Sequence, residues 1–361
     1  MNLYMIWLNK IFSHNFKNIS DFIDIISPED AFYLKEEIKN LNIEGNLKEK
    51  LLSEKLKDEA KTEYEYCINS NINLINFKEK NFPINLLNLS SPPPLLYCKG
   101  TLLPEDETAI SIVGSRRYTE YGKLCTKKFA SELASCKITI VSGMAYGIDT
   151  FAHSYALDND GRTIAVLGTS VDIVYPKENK KLYDKIIENG AVISEFPIPT
   201  PPISKNFPIR NRIVAGLSLG TLVIEANEKS GTMITARLAA ESGRNVYVIP
   251  GEIFNYNSRG TNKLIQDGAK LVTDSKDILE DIYSEISKLV PSPKQISLFT
   301  PTDLNETEEK VYKKLSLKPI YIDALIDSLD IPSHEILSIL TILELKGYIK
   351  QLPGQQYVIE V

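Results

Sequence analysis

The chain has 361 residues and a formal charge of −6 at neutral pH. Its apolar and charged fractions are those of an ordinary globular protein and its length allows two or three domains, while no apolar run approaches the ~20 residues a membrane helix needs. The net negative charge argues against a protein that coats duplex DNA through overall positive charge, yet it permits a local basic groove.

Met1–Leu8 is apolar but short, without a basic leader or a small-residue cleavage site, so no signal peptide is read and no membrane partner is expected. Residues 1–80 read as a helical N-terminal domain rich in Lys, Glu, Asn and Ile, with helical periodicity over 21–26 and 48–60. Ser91-Pro92-Pro93-Pro94 is a stiff extended connector. From there strands alternate with helices at βαβ spacing, with strand candidates over 109–113, 139–141, 163–167, 191–194, 221–225, 246–249 and 270–272. This predicts an α/β domain over 81–285 built on a doubly wound, Rossmann-like, mostly parallel sheet. The strands are continuous apolar runs, as expected when both faces are covered.

A linker is expected over 286–304, and residues 305–361 then form a compact unit. Three helix candidates, 306–315, 322–329 and 333–346, precede two short strand signals bracketing Pro353-Gly354, which suggests a winged helix. Its third helix carries His334, Glu335, Glu344 and Lys346 and is otherwise mostly apolar. A duplex-reading helix normally carries basic residues, so a protein-interaction or auxiliary module is expected instead.

Small residues recur where strands end. Gly114-Ser115-Arg116-Arg117 follows the first strand of the βαβ region, Ser142-Gly143 the second and Gly168-Thr169-Ser170 the third, and Ser230-Gly231-Thr232 leads into a helix after the strand ending near Ala226. Each alone is explained as a tight βα turn. Such turns let a backbone approach a ligand at the carboxyl edge of a parallel sheet, and a helix N-terminus offers free amides to an anion. Together with Arg116, Arg117, Arg210, Asn211 and Arg212, the last three opening a predicted helix, the four turns point to an anionic ligand.

Enzyme signatures are missing. The sequence lacks G-x-G-x-x-G, G-x-x-x-x-G-K-[ST] and G-x-S-x-G at the positions where they would act. Asp149, Asp172, Glu195 and Glu225 are expected as helix caps or ion-pair partners, and Asp149 with His153 as a structural contact. Cys67, Cys98, Cys125 and Cys136 form no C-x-x-C pair and fit reduced packing residues of a cytoplasmic protein. With His14, His153 and His334 as the only histidines, a histidine-rich metal site is not expected, nor is any cofactor.

The stretches SIVGSRRYTEYG, IVSGMAYGIDTFAH, IAVLGTSVDIVYPKENKKLYDKI, GAVISEFP, NFPIRNRIVAGLS, EANEKSGTMITARLAAESGRNVYVIPG and SRGTNKLIQDGAKLV, in this order over about residues 80–275, resemble the DNA processing protein A (DprA/Smf) family. The C-terminal unit is similar to the winged helix that many members carry. The resemblance implies a non-enzymatic protein that binds single-stranded DNA, dimerises through its Rossmann-like domain and loads the RecA recombinase onto incoming DNA in natural transformation. It implies a DNA pocket at Gly114, Ser115, Arg116, Lys177, Lys205, Phe207, Arg210 and Arg212. It implies a dimer surface around Asn262, Ile265, Gln266 and Leu271, and a recombinase contact at or beside Ala240 and Glu241. From the turns themselves, Arg117, Ser142, Gly143, Asn211, Ser230, Gly231 and Thr232 join the DNA-binding candidates, with Arg116 and Arg212 expected on one DNA backbone and Phe207 and Tyr118 as stacking faces. One alternative is a scaffold whose winged helix is the main binding module; the other is a Rossmann-like nucleotide phosphoribohydrolase. That reaction requires a P-G-G-x-G-T-x-x-E motif, which Ser230-Gly231-Thr232-Met233-Ile234 lacks.

Overall fold

Six helices occupy the N-terminal segment: α1 (Asn2–Phe12), α2 (Phe16–Ile25), α3 (Pro28–Tyr33), α4 (Lys35–Asn40), α5 (Gly45–Leu52) and α6 (Glu54–Asn69). The periodic stretch 48–60 is divided at Ser53, whose hydroxyl accepts the Leu56 amide at 3.4 Å and caps α6. A hydroxyl offered to a free amide starts a new helix where the hydrophobic period alone would continue the old one. The computed structural model describes residues 1–289, 304–315, 320–329, 331–352 and 354–359.

Two strands that periodicity did not reveal come next. These are β1 (Asn73–Asn76) and β2 (Leu95–Gly100), separated by the short helix α7 (Ile84–Leu87). β1 is four residues of mixed polarity, too short for a periodic signal, and lies inside the range expected to be wholly helical. The βαβ region follows as β3 (Ala109–Val113), α8 (Glu120–Ser135), β4 (Thr139–Ser142), α9 (Ile148–Leu157), β5 (Thr163–Val166), α10 (Lys180–Asn189), β6 (Gly190–Ser194), α11 (Asn206–Leu217), β7 (Gly220–Val223), α12 (Gly231–Glu241), β8 (Asn245–Val248), α13 (Arg259–Gln266), β9 (Lys270–Leu271) and α14 (Lys276–Leu289).

The strands form one nine-stranded sheet in the order β1-β2-β6-β5-β4-β3-β7-β8-β9. From β6 to β9 all pairings are parallel, and β1 and β2 add antiparallel strands at one end. β3 to β6 step outward on one side of β3, then β7 returns to its other side. Right-handed crossovers therefore put α8, α9 and α10 on one face and α11 and α12 on the other. Packing of α8 on α9 and of α11 on α12 agrees. The reversal at β3 and β7 opens a crevice at their carboxyl ends, where α/β sheets bind ligands.

The chain divides into two compact units, Met1–Ile278 and Leu279–Val361. In the first, the N-terminal helices share a core with the sheet: Trp7, Leu8 and Phe32 lie in one buried cluster with Leu95, Tyr97 and Val192. The buried Glu63 of α6 ties this junction. It accepts the Tyr97 hydroxyl at 2.6 Å and the Ile198 amide at 3.0 Å, and pairs with Lys10 at 2.9 Å. Of the expected linker 286–304, the first four residues end α14 and 290–303 lie outside the described residues. The second unit contains α15 (Glu306–Tyr312), β10 (Ile320–Tyr321), α16 (Ile322–Asp327), α17 (Ser333–Leu345), β11 (Ile349–Leu352) and β12 (Gln356–Ile359), with antiparallel strand order β10-β12-β11. Leu325, Ile336, Leu340, Leu343 and Ile349 close its core, giving the winged helix the sequence predicted. No helix of the described residues is long and apolar enough to cross a membrane.

Candidate nucleic-acid interface

The loops after β3, β4 and β5 and the first turn of α11 meet at the carboxyl edge. They enclose a shallow cleft lined by Arg116, Gly143, Ala145, Tyr146, Tyr175, Pro176, Phe207 and Arg210. Arg116 is exposed, and its guanidinium lies 5.8 Å from the centre of the Phe207 ring. Arg210 approaches the same ring at 6.0 Å and Tyr175 at 5.5 Å. Phe207 is half-buried, because Gly168 leaves it room: a Cβ there would come within 2.8 Å of the ring. An aromatic face flanked by guanidiniums offers a base a stacking surface and its phosphate a charge.

Arg210 is buried beneath this rim. It donates to the carbonyls of Gly143, at 2.7 Å, and Val166, so it clasps the ends of β4 and β5. Glycine at 143 is required, since a Cβ would meet the Arg210 guanidinium at 2.7 Å and the Asp149 carboxylate at 2.8 Å. Burial pushes Arg210 down to about 10, with Asp149 opposing that shift, so the guanidinium stays charged at neutral pH. Burial likewise raises Asp149, against the pull of Arg210. The result is a buried, charged guanidinium under the floor of the cleft, with the Asp149 carboxyl close by.

The two turns at the switch point are joined directly. Thr232 at the start of α12 donates to the Gly114 carbonyl at 3.1 Å, and Asn211 donates to the Gly231 carbonyl at 3.4 Å. Ser115 accepts the Arg117 amide at 3.0 Å, fixing the turn that carries both arginines. Ser230 precedes α12 without capping it through its side chain, and Gly231 faces open space. Lys177, directly after the cleft residue Pro176, and Lys205, two residues before Phe207, are both exposed. Tyr118 is exposed but packs edge-on against Phe151 at 4.6 Å.

Two candidates from the sequence are corrected. Ser142 is fully buried and donates to the Ile112 carbonyl at 2.7 Å, so it packs the sheet and does not line the cleft. Arg212 does not share the rim with Arg116. A helical step of two residues turns it away from Arg210, and it forms an ion pair with the buried Glu195 beside the N-terminal helices. Arg210 and Arg212 also sit within α11, not at its start as expected, because the helix begins at Asn206.

The acidic residues near the turns act structurally. Glu225 accepts both the amide, at 2.9 Å, and the hydroxyl of Thr119, anchoring the entry to α8. Asp172 accepts the Tyr66 hydroxyl at 3.0 Å. His153 is buried against the Thr163 hydroxyl at 2.7 Å, not against Asp149, and burial holds it down at about 3, hence neutral. Sequence reasoning missed Tyr146 and Tyr175 as cleft walls. Their only signal was position, one in the loop after β4 and one just before Pro176. The four cysteines are unpaired thiols.

Elsewhere, Ile265 is half-buried against the sheet core, while Gln266 and Leu271 are exposed at the β9 edge. The Asn262 side chain turns inward to bond Gly251 at 3.2 and 3.0 Å. Ala240 and Glu241 are exposed at the end of α12, where Glu241 accepts Arg237 at 2.7 Å.

A family model described as DNA recombination-mediator protein A matches residues 73–283, and a DprA winged helix domain matches 298–355. The chain belongs to the DprA/Smf family of DNA-processing proteins. It is 37% identical over 287 residues to protein Smf of Escherichia coli, spanning 79% of this chain and 76% of that one. It is 44% identical over 200 residues to DNA processing protein DprA of Streptococcus pneumoniae, spanning 55% and 71% respectively. Among solved structures, that of DprA from S. pneumoniae superposes with a TM-score of 0.58 at 36% identity, covering 70% of this chain and 91% of the other. DNA processing protein A from Helicobacter pylori, a protein with a single-stranded DNA binding mode, superposes with a TM-score of 0.54 at 33% identity, covering 60% of this chain and 98% of the other.

Proposed function

We propose that the protein binds single-stranded DNA at the carboxyl edge of its sheet, without reading sequence, and passes the strand as a homodimer to a RecA-type recombinase during uptake of incoming DNA. The observation that carries this reading is Arg116, an exposed guanidinium poised over Phe207 at the mouth of a cleft with the buried Arg210 charge beneath it. Arginine and lysine hold phosphate without a base code, and aromatic rings accept any base. The single-stranded DNA binding of the H. pylori relative supports the same ligand.

The role is binding, not catalysis. Of the buried carboxylates of this region, Asp149 accepts the Ala145 amide at 3.3 Å, Glu195 pairs with Arg212 and Glu225 accepts the Thr119 amide. The exposed β9 edge with Leu271 and Gln266, next to Ile265, supplies the surface for pairing two copies, since exposed edges invite pairing. Ala240 and Glu241 offer the recombinase a contact.

The test is a gel-shift of oligothymidylate against duplex of equal length over a salt series. Single strand should bind more tightly, with a slope of about −0.7 per neutralised phosphate. Equal binding of duplex, or release of free base from a nucleoside monophosphate, would overturn the reading.

A further inference from the structure

All eight arginines lie between residues 116 and 259. Arg162, Arg212 and Arg237 are ion-paired, and Arg210 and Arg244 donate to backbone carbonyls. Among the described residues, the guanidiniums of Arg116, Arg117 and Arg259 form no close ion pair and no hydrogen bond, Arg116 feeling Asp149 only at longer range. Two of these three belong to the loop after β3. The third opens α13, after the loop 250–258 that follows β8.

That loop carries the two most exposed large apolar side chains of the sheet unit, with a third beside them. Phe254 is 89% exposed, Ile253 73% and Tyr256 62%. Three large apolar groups within four residues are costly to leave in water and mark a binding surface. The loop is also held firmly against the Arg117 turn. Asn257 donates to the Arg117 carbonyl at 2.6 Å, Tyr121 donates to the Pro250 carbonyl at 2.8 Å, and Ala226 donates to the Asn257 carbonyl at 2.8 Å. Arg259 sits 6.0 Å from the Tyr256 ring, the same cation-on-ring pairing that Arg116 makes with Phe207. Glu252 is the one carboxylate in the loop.

We infer that the strand does not end at the cleft but continues past Arg117 onto this loop, where Phe254 and Tyr256 stack bases and Arg259 holds a phosphate. The inference rests on the single-stranded DNA reading of the cleft. Arginine alternating with exposed rings suits a polyanion with π-faces. A second copy could offer carboxylates to the guanidiniums, but a single strand offers both a phosphate for each guanidinium and a base for each exposed ring.

The experiment uses the full chain with Phe254→Ser and Tyr256→Ser combined, and oligothymidylates of about six and about twenty nucleotides, lengths that span known site sizes. The short oligomer should bind as it does to the parent protein, while the long one, losing two stacking faces, weakens by about thirtyfold or more with its salt slope unchanged. Arg259→Ala should lower the slope for the long oligomer alone, by about 0.7. Unchanged binding of the long oligomer would overturn the inference. So would equal loss for both lengths with a lowered melting temperature, which makes the loop structural, or an altered oligomer mass with binding intact, which makes it a contact between copies. Failure of the parent protein to bind either length would instead overturn the reading of the cleft, so the two are separable.

Discussion

Arg116 and Arg212 lie in one unit of the fold, and both looked like phosphate ligands in the sequence, but they sit in opposite environments. At the carboxyl edge, Arg116 is exposed, with an aromatic ring beneath it and no close ion pair. At the junction with the N-terminal helices, Arg212 meets the buried Glu195, close to the Lys10–Glu63 pair. The difference teaches that a guanidinium is available to a ligand only where the fold places no carboxylate beside it. Breaking a buried pair strands a charge, whereas removing an exposed arginine strands nothing.

The sharpest way to break this comparison is Arg212→Ala. It should lower stability by about 3–5 kcal/mol, because Glu195 is left buried and unpaired, and denaturant melts would show it. A fully stable Arg212→Ala variant that loses DNA binding would return Arg212 to the interface. Arg116→Ala combined with Arg117→Ala should instead melt like the parent protein and lose single-stranded DNA affinity on the order of a hundredfold or more, given the worth of charged hydrogen bonds. Its salt slope should fall by about 0.7 for each phosphate released.

Phe207→Ala should cost roughly 1–3 kcal/mol of binding with the slope unchanged; a collapsed melting temperature would make Phe207 a packing residue. Ile265→Glu with Leu271→Glu should give a folded monomer by light scattering that no longer loads a recombinase. The smallest effect is expected in the winged helix. Its third helix exposes Leu337 and Leu345 and its unit has no arginine, so Leu337→Ser with Leu345→Ser should leave DNA affinity within twofold, and a larger loss would place DNA on that helix.

Much of this was legible in the chain. The apolar runs at βαβ spacing gave the parallel strands, because burial on both faces leaves a continuous hydrophobic signal. Gly114, Ser115, Gly231 and Thr232 were legible as turn residues, and the winged helix as a short helical set with a hairpin. β1 and β2 were not, since strands of four and six residues at a sheet end owe their place to pairing with β6 and to the helical segment packed over them.

The sequence by itself determined the fold class, the turns at the strand ends and the kinds of side chain near them, because these depend on local periodicity and backbone freedom. Only the tertiary structure decided which of those side chains face solvent. Ser142 was spent on the Ile112 carbonyl, Arg210 on two strand ends and Arg212 on Glu195, while Arg116 stayed open over Phe207. The reason is that partners lie far apart in sequence: Arg210 and Gly143 are 67 residues apart, and Thr232 and Gly114 are 118 apart. Only the crossing of α11 from one side of the sheet to the other brings them to a single edge.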